Sequence, residues 1–467
     1  MLSIFTNIEQ VNVLAHFMVG ILGFAILIIF LFTSIQFLLE REKRAFWRAL
    51  VLMFLFPLPF FLAFFFEIHF IEIILNVFVI IVLLAFLIPL KTAANIIDAE
   101  PLTQQDERDT MFSRNELVPG TERYINYYKQ HPEKESLDMN FRKRPGLMSI
   151  NSLYYNKKAF EAADASFAAV KLLYNRVDGP PAKAFAEHNQ SKKQETNSKD
   201  ISEQLIKKLK QLGALDVGFT TLKPYHFYSV KGRGEDYGKK IQSKHKFAIA
   251  FTVEMEREML KPAPQASIVM ESAKQYLNSG KIAVQLAEHI RSLGFEARAH
   301  IDGNYQLICP LVARDAGLGE IGRMGLLMTP KQGPRVRIAV VTTNLELITH
   351  TYKQDNSVLD FCMQCKKCAA CCPSASIEFN EPQMRDGGKR WKINSEKCFT
   401  FWCKAGTDCG RCMAVCPFSH PEGGIHILIR WGIKKSHLFR LFAAKMDDFF
   451  YGKQPKPFPL PKWLKDN

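Results

Sequence analysis

The chain has 467 residues and a formal net charge of +15, and its mean hydropathy is close to zero. These averages conceal two opposite compositions, because the first 100 residues carry five basic and seven acidic residues and the remaining 367 therefore carry a net charge of +17. An apolar, nearly uncharged segment within the first 100 residues, here called the head, precedes a basic, polar body. This combination excludes a disordered chain, a purely soluble enzyme and a polytopic transporter.

The head, residues 1–92, contains three apolar runs in succession. We predict membrane-spanning helices over about 11–39, 47–66 and 68–90. A span needs ~20 apolar residues, and each run is long enough. A buried core helix is the alternative for one such run, but three in succession favour a three-helix membrane anchor in contact with the lipid bilayer.

The basic residues of the head predict its orientation. The first connection between runs contains Arg41, Lys43, Arg44 and Arg48, whereas the second contains no Lys or Arg. Cytoplasmic connections carry the excess of basic residues, so the first connection is expected in the cytoplasm. We therefore predict a multi-pass protein of the bacterial inner (cytoplasmic) membrane, with its catalytic body on the cytoplasmic side.

The body begins with a polar segment, residues 93–200, and its pattern becomes regular over residues 201–350. Apolar residues recur at helical spacing in Ile201–Leu212, and Ser267–Leu293 is a second, longer helical stretch. Buried strands are predicted at Leu215–Thr220, Phe247–Val253 and Ile338–Thr343. Strands that alternate with helices predict an α/β layer.

A glycine string, Gly317, Gly319 and Gly322, has the spacing G-x-G-x-x-G. This spacing occurs in nicotinamide-dinucleotide sites, where it follows a strand and opens a helix. Neither feature is predicted around Gly317, so the string is a weak indication of such a site. Glycine also allows close approach of backbone to a cofactor or to another segment, because it has no Cβ.

The cysteines carry the strongest signal in the chain. Ten of the eleven lie between residues 362 and 416, within a predicted module at 351–425. The first run has the spacing C-x2-C-x2-C-x3-C followed by Pro, which is the bacterial ferredoxin spacing for cubane iron–sulfur clusters. A second run, C-x2-C-x3-C, also ends in Cys-Pro. Zinc is the competing interpretation of paired C-x2-C motifs, but two runs that each end in Cys-Pro favour two [4Fe-4S] clusters.

In the ferredoxin arrangement the last cysteine of each run binds the other cluster. The predicted ligands of cluster one are Cys362, Cys365, Cys368 and Cys416. The predicted ligands of cluster two are Cys372, Cys398, Cys409 and Cys412, with Cys398 displaced upstream of its usual place. Three cysteines remain, and we interpret Cys309, Cys371 and Cys403 as small buried thiols.

Several stretches resemble the corrinoid-dependent reductive dehalogenases, and the resemblance extends over roughly residues 106–453. They are DERDTMFSRNEL (106–117), ARAHIDGNYQ (297–306), AGLGEIGRMGLLMTP (316–330), GPRVRIAVVTTNLEL (333–347), DDFFYGK (447–453) and the two Cys-Pro motifs. The epoxyqueuosine reductases are related and share the glycine loop, but they lack the DERDTMFSR-like segment. Exported members of the dehalogenase family carry a twin-arginine signal, which is not found in this sequence.

The resemblance implies a nitroreductase-like α/β core that binds a base-off cobalamin above the two clusters. It also implies a tyrosine proton donor beside a cation. Tyr276 best matches the donor and Arg335 the cation, with Arg337 as the near alternative. The resemblance further implies a polar substrate-side residue at Asn304, and cofactor-side residues at Ser272 and the three glycines. Tyr305 and Tyr225 are the rival donors.

The sequence therefore predicts a mixed α+β and α/β protein with a membrane anchor, a corrinoid-binding core, a ferredoxin-like module and an extension, 426–467, that packs on the core. Its expected activity is reductive dehalogenation of a small organohalide, with electrons passing through both clusters to cobalt from a quinol, ferredoxin or flavodoxin. The alternatives are a corrinoid reductase of a non-halogenated substrate and a non-catalytic membrane electron carrier. No nucleic-acid motif is present, and the basic body suits anionic clusters, a corrinoid phosphate and anionic lipid.

Overall fold

A computed structural model describes residues 2–88, 100–179 and 197–465, with side chains from Glu9 onward. These residues divide into two compact units that alternate along the chain. The first unit contains residues 1–95, 360–365 and 421–455, and the second contains residues 96–359, 366–420 and 456–467. The structure thus groups most of the C-terminal extension with the N-terminal helices, whereas the sequence predicted that all of it packs on the α/β core.

The first unit is helical. Its helices are Leu2–Leu39, Lys43–Leu55, Leu58–Phe65, His69–Leu87, Gly424–Lys435 and His437–Tyr451. Three stretches of the described chain are long and apolar enough to cross a membrane, namely Glu9–Leu39, Lys43–Phe65 and His69–Leu87. They coincide with the three predicted runs, although residues 89 and 90 of the third run lie outside the described residues.

The helices of the first unit expose many large apolar side chains, whose contact with water would be unfavourable. Ile21 is 67% exposed and Phe70 is 75% exposed, and many other large apolar side chains of these helices are similarly open. An exposed apolar surface of this extent is typical of a contact with lipid or another protein. Small residues, Ala45 and Ala49, are fully buried where the second helix packs on the first.

Three ionisable side chains meet inside the first unit. The Glu72 carboxylate is fully buried and hydrogen-bonds Nδ1 of His16 at 2.7 Å and Nδ1 of His69 at 3.0 Å. Asn76, one turn after Glu72, donates to the Ala15 carbonyl at 2.9 Å. The sequence indicated interfacial positions for Glu72 and Asn76, but the fold buries both because the first and fourth helices pack together there.

The second unit is built on an antiparallel sheet. Its strands, with those of two small hairpins, are β1 Asp216–Thr221, β2 Phe247–Glu254, β3 Ala297–His300, β4 Glu320–Ile321, β5 Leu327–Met328, β6 Val336–Thr343, β7 Gln383–Arg385 and β8 Gly388–Arg390. The main sheet has the order β1-β2-β6-β3, and every neighbouring pair in it is antiparallel. The core is therefore α+β in class, and its alternation of strands and helices does not produce the parallel strands of an α/β sheet.

Helices cover both faces of this sheet. Ile249 and Phe251 of β2 point into a core with the helices Ser198–Gln211 and Ser267–Ser292, whereas Ala248 and Ala250 face the helix Cys309–Asp315. Successive strand residues alternate between faces, so a strand covered on both sides is apolar throughout. This arrangement explains the unbroken apolar run FAIAFTV and confirms the predicted strand there.

The remaining helices of the second unit support this core. They are Met111–Glu116, Glu122–Gln130, Pro132–Arg142, Lys157–Leu172, Arg257–Leu260, Lys367–Ala370, Ser395–Ala405 and Arg411–Ala414, while Asn356–Cys365 crosses from this unit into the first. The predicted helices at 201–212 and 267–293 are confirmed with small changes at their ends. The edge strand β3 was not predicted, because its four residues, ARAH, form a short run without β-branched or aromatic residues.

Candidate functional site

A cavity of about 230 Å³ opens beside the sheet of the second unit. It lies where the helix Ser267–Ser292, the first half of β6 and the loop after β3 come together. Its wall is mainly apolar and aromatic with a few polar groups, consisting of Phe112, Tyr228, Tyr276, His300, Ile301, Asp302, Tyr305, Leu307, Ile308, Cys309, Pro310, Leu326, Leu327, Pro334, Val336, Arg337 and Ile338. An enclosed apolar wall with a few convergent polar groups is typical of a small-molecule site.

Tyr276 lines this cavity from the helix Ser267–Ser292. The guanidinium carbon of Arg337 lies 4.8 Å from the centre of the Tyr276 ring. Burial raises the pKa of Tyr276 to about 12, and the positive charge of Arg337 opposes this rise. The phenol is therefore protonated at neutral pH, and a cation is in place to stabilise the phenolate.

Arg337 is also held by two hydrogen bonds. Its Nη2 donates to Ser272 Oγ at 2.5 Å and to Asp408 Oδ2 at 3.0 Å. Ser272 lies four residues before Tyr276, so both project from the same helical face. The predicted residues Tyr276 and Ser272 are thus brought together, with Ser272 contacting the arginine.

Arg335 lies elsewhere. Its guanidinium pairs with the Glu254 carboxylate and donates to the Met255 carbonyl at 2.7 Å, at the end of β2. Arg335 precedes β6 and does not line the cavity, whereas Arg337 lies within β6 and does. Of the two cations considered from the sequence, the structure brings Arg337 to Tyr276.

Asn304 and the three glycines of the string do not line the cavity themselves. The Asn304 side-chain oxygen accepts from Arg298 at 2.8 Å, and Asn304 does not line the cavity. Gly317 and Gly319 follow a helix and lead into β4, which is not the strand-to-helix context of a dinucleotide site. A Cβ at Gly319 would lie 2.2 Å from the Met328 carbonyl oxygen, so this glycine permits the close approach of β5.

Gly322 begins the hairpin that supplies part of the cavity wall. Its N–H donates to the Leu326 carbonyl at 3.0 Å, and Leu326 and Leu327 both line the cavity. The glycine string therefore contributes to the cavity through this hairpin.

A second aromatic and cationic pair in the cavity was missed at the sequence level. The Arg233 guanidinium lies 5.0 Å from the Tyr305 ring and 5.7 Å from the Phe112 ring. Its Nη2 is buried without a hydrogen-bond partner among the described residues. Arg233 comes from a loop, 231–233, whose only sequence signal was its two basic residues.

The segment around DERDTMFSR builds this side of the cavity. Glu107 is fully buried, accepts from the Gly232 N–H at 2.8 Å and pairs with Arg233 at 3.5 Å. Five residues later, Phe112 lines the cavity. Arg114 then anchors the segment, because its Nε donates to Asp138 at 2.9 Å inside the second unit.

Asp302 lines the cavity within electrostatic reach of both arginines. Burial raises the pKa of the Asp302 carboxyl, and the charges of Arg233 and Arg337 oppose this rise. Burial also shifts the pKa values of two other groups in the wall. Burial lowers the pKa of His300 well below its usual value, and it raises the pKa of the Cys309 thiol to about 12. Cys309 is thus a protonated thiol, not a nucleophilic thiolate.

The four cysteines predicted for cluster two lie together in the second unit. Burial, with the charge of Cys372 next, raises the pKa of Cys398 to about 12. Burial also raises the pKa of Cys412 to about 12 and that of Cys409 well above its usual value, and Cys372 adds to both rises. Buried thiols whose thiolates would repel one another lose their protons when a metal centre compensates the negative charge, so this donor set fits an iron–sulfur cluster.

The displaced ligand Cys398 is therefore brought to its predicted partners by the helix Ser395–Ala405. Cys403, on the same helix, lies instead in an apolar cluster with Met111 and Phe399. Its contacts agree with the interpretation as a buried structural thiol. The ligand set of cluster one remains a prediction.

Comparison with known proteins identifies the cysteine module. The family described as a 4Fe-4S dicluster domain matches residues 361–420, a range that contains all eight predicted cluster ligands. This match confirms the iron–sulfur interpretation over the zinc alternative.

Relatives of known name cover part of the chain. A tetrachloroethene reductive dehalogenase of Desulfitobacterium hafniense is 34% identical over 226 residues, which are 46% of this chain and 40% of the relative. An epoxyqueuosine reductase of Francisella cf. novicida is 31% identical over 156 residues, or 29% of this chain and 39% of the relative. The chain thus spans less than half the length of the curated relatives that it matches.

The fold is also similar to that of solved reductive dehalogenases. One of them, described as acting in B12-dependent dehalogenation, superposes with a TM-score of 0.54 at 26% identity. The superposition covers 63% of this chain and 42% of that one. Sequence and structure thus relate the chain to the same group of proteins.

Proposed function

Because the chain is a homologue of the reductive dehalogenases and contains a 4Fe-4S dicluster domain, we propose that it is a membrane-anchored corrinoid and iron–sulfur reductive dehalogenase. Its substrate is then a small organohalide, and its core is the nitroreductase-like fold implied by the resemblance. The observation that carries the proposal is the Tyr276–Arg337 pair, which would form a proton donor with its stabilising cation in the wall of the cavity.

The residues around the cavity suit a corrinoid. Leu326, Leu327 and Pro334 offer an apolar surface, and Arg233 Nη2 and Arg337 Nε are buried donors without partners among the described residues. Such donors match the amide and phosphate acceptors of a corrinoid or the anionic part of a substrate. When bound, the corrinoid supplies the metal centre at which a carbon–halogen bond is cleaved.

The proposed reaction replaces carbon–halogen by carbon–hydrogen with two electrons and one proton, and it releases halide. The Tyr276 hydroxyl donates the proton to carbon, and Arg337 stabilises the phenolate that remains. A positioned general acid of this kind contributes about 10²–10⁴-fold to the rate. The eight cysteines predicted as ligands would hold two clusters, which would pass electrons singly from a quinol, ferredoxin or flavodoxin.

The experiment that tests the function uses the full chain in detergent, reconstituted without oxygen with cobalamin and iron. Halide release is measured with a reduced viologen dye as the electron donor and with tetrachloroethene and a bromophenol as probes. Stoichiometric cobalt with halide release supports the proposal. Iron without cobalt would identify an electron carrier, and turnover of an epoxyqueuosine nucleoside alone would identify the other reductase class.

We further propose that the chain lies in the inner membrane with its second unit in the cytoplasm. Four basic residues support this orientation: Arg41 lies between the helices Leu2–Leu39 and Lys43–Leu55, and Lys43, Arg44 and Arg48 lie in the first turns of the second helix. Thiol labelling of intact cells with a membrane-impermeant reagent should leave the cysteines of residues 362–416 unmodified. Labelling of these cysteines from outside the cell would show that the second unit lies on the opposite side of the membrane.

Cluster two gives a separate prediction. We expect Cys398→Ala to lower the iron content by about half, since one of two clusters loses a ligand, and to abolish halide release. The matched control is Cys403→Ala on the same helix, which removes a thiol from an apolar cluster. Iron analysis of the purified variants tests this prediction. Full iron content in Cys398→Ala would show that Cys398 is not a cluster ligand.

A further inference from the structure

The loop that carries a predicted cluster ligand also contacts an arginine of the cavity wall. Cys409, a predicted ligand of cluster two, directly follows Asp408. The loop is fixed on both sides, because Thr407 Oγ1 donates to the Pro264 carbonyl at 2.8 Å and the Gly410 N–H donates to the Asp408 carbonyl at 2.7 Å. The Asp408 carboxylate therefore has a defined position.

This carboxylate binds the cation of the Tyr276 pair. Asp408 Oδ2 accepts from Arg337 Nη2 at 3.0 Å and from the Ser272 hydroxyl, and Arg337 also donates to Ser272. The Asp408 and Arg337 side chains are each 13% exposed. Three groups that hydrogen-bond one another in a partly closed site restrain the guanidinium against the ring.

The charge of Asp408 acts on the proton donor. It adds to the effect of burial in raising the pKa of Tyr276, which Arg337 opposes. Asp408 also directly precedes the predicted ligand Cys409 in the chain. One carboxylate is thus adjacent to a predicted cluster ligand and within electrostatic reach of the proton donor.

We propose that Asp408 is a positioning residue that couples the cluster-two loop to the proton donor, by holding Arg337 against Tyr276. The inference rests on the proposed function and adds a physical link between electron delivery and proton delivery. Asp408 does not itself touch substrate. It sets how strongly Arg337 stabilises the Tyr276 phenolate, because an arginine paired with a carboxylate offers less net positive charge to its other neighbour.

The test measures the phenol at position 276 directly. Tyr276 is replaced by 3,5-difluorotyrosine, whose phenol titrates well below that of tyrosine, and its pKa is read by fluorine NMR in the iron-loaded chain. The charged groups that face this phenol are Arg337 from β6, Asp302 from the loop after β3, Asp408, and Arg233. Only Asp408 is changed, so the shift reports its charge.

We expect Asp408→Asn to lower the phenol pKa by about one pH unit, since a unit charge in a partly buried site acts through an effective dielectric constant of about 20. Asp408→Glu keeps the charge and should restore the original pKa. The matched control is Asp315→Asn, because Asp315 is also buried and paired with an arginine, Arg314, but bonds Tyr225 and His226 away from the cavity. This control should leave the phenol unchanged.

In halide release, Asp408→Asn should change kcat and leave KM unchanged, because Asp408 acts on the proton donor and does not touch the substrate. The proposal is overturned if the phenol pKa of Asp408→Asn equals that of the parent chain. It is also overturned if Asp408→Asn loses iron while Asp408→Glu retains it, since Asp408 would then serve cluster assembly alone. The titration needs no turnover, so absence of halide release would contradict the proposed function and leave this result standing.

Discussion

Replacement of Tyr276 by phenylalanine is expected to lower kcat for halide release by about 10²–10⁴-fold, the usual contribution of a positioned general acid. The variant removes one hydroxyl and keeps the ring over which Arg337 lies at 4.8 Å. Cobalt and iron content should therefore be unchanged. Because the pKa of Tyr276 is about 12, the donor is protonated throughout the neutral range, and the loss should be the same at pH 6 and pH 8.

The rival tyrosines supply the controls for this prediction. Tyr225 donates to Asp315 at 2.5 Å and does not line the cavity, so Tyr225→Phe should retain turnover. Tyr305 does line the cavity, beside Arg233. If Tyr305→Phe loses turnover while Tyr276→Phe retains it, the proton donor is Tyr305 and the assignment of Tyr276 is wrong.

The second prediction with a large effect on turnover concerns the two arginines near the start of β6. Arg337→Gln should lower kcat by about 10–100-fold, because the phenolate left after proton transfer loses its cation. The charge of Arg337 lowers the pKa of Tyr276, so its removal should raise the pKa of the phenol, opposite in sign to the effect of Asp408→Asn. The difluorotyrosine titration at position 276 measures this shift.

Arg335→Gln is the matched comparison. Arg335 is buried at the end of β2, where it pairs with Glu254 and donates to the Met255 carbonyl. Its replacement should lower the free energy of unfolding by about 1–3 kcal/mol, the cost of leaving buried groups without partners, and should spare the turnover of the folded fraction. If Arg335→Gln lost turnover while its free energy of unfolding stayed unchanged, the catalytic cation would be Arg335 and not Arg337.

Local patterns predicted much of the fold. The apolar run of β2 and the amphipathic repeat of residues 201–212 are properties of consecutive residues, so both elements were found from the sequence. The hairpins β4–β5 and β7–β8 have strands of only two or three residues and show no such periodicity. The grouping of residues 421–455 with the first unit was also missed, because it depends on packing between distant segments.

The two arginine–tyrosine pairs of the cavity could not be assigned from the sequence. Arg335 and Arg337 are two residues apart in one motif, and only the start of β6 between them directs one to Glu254 and the other to Tyr276. Arg233 reaches Tyr305 because the buried Glu107, 126 positions earlier, holds its loop. No local spacing encodes either contact.

The sequence by itself determined the apolar head, the chemistry of the cysteine module and the kinship with reductive dehalogenases, since span length, ligand spacing and motif identity are written in neighbouring residues. The tertiary structure alone decided which arginine faces Tyr276 and that Asp408 links the cluster-two loop to that arginine. These contacts join residues tens of positions apart, and they exist only after the sheet and its helices have packed.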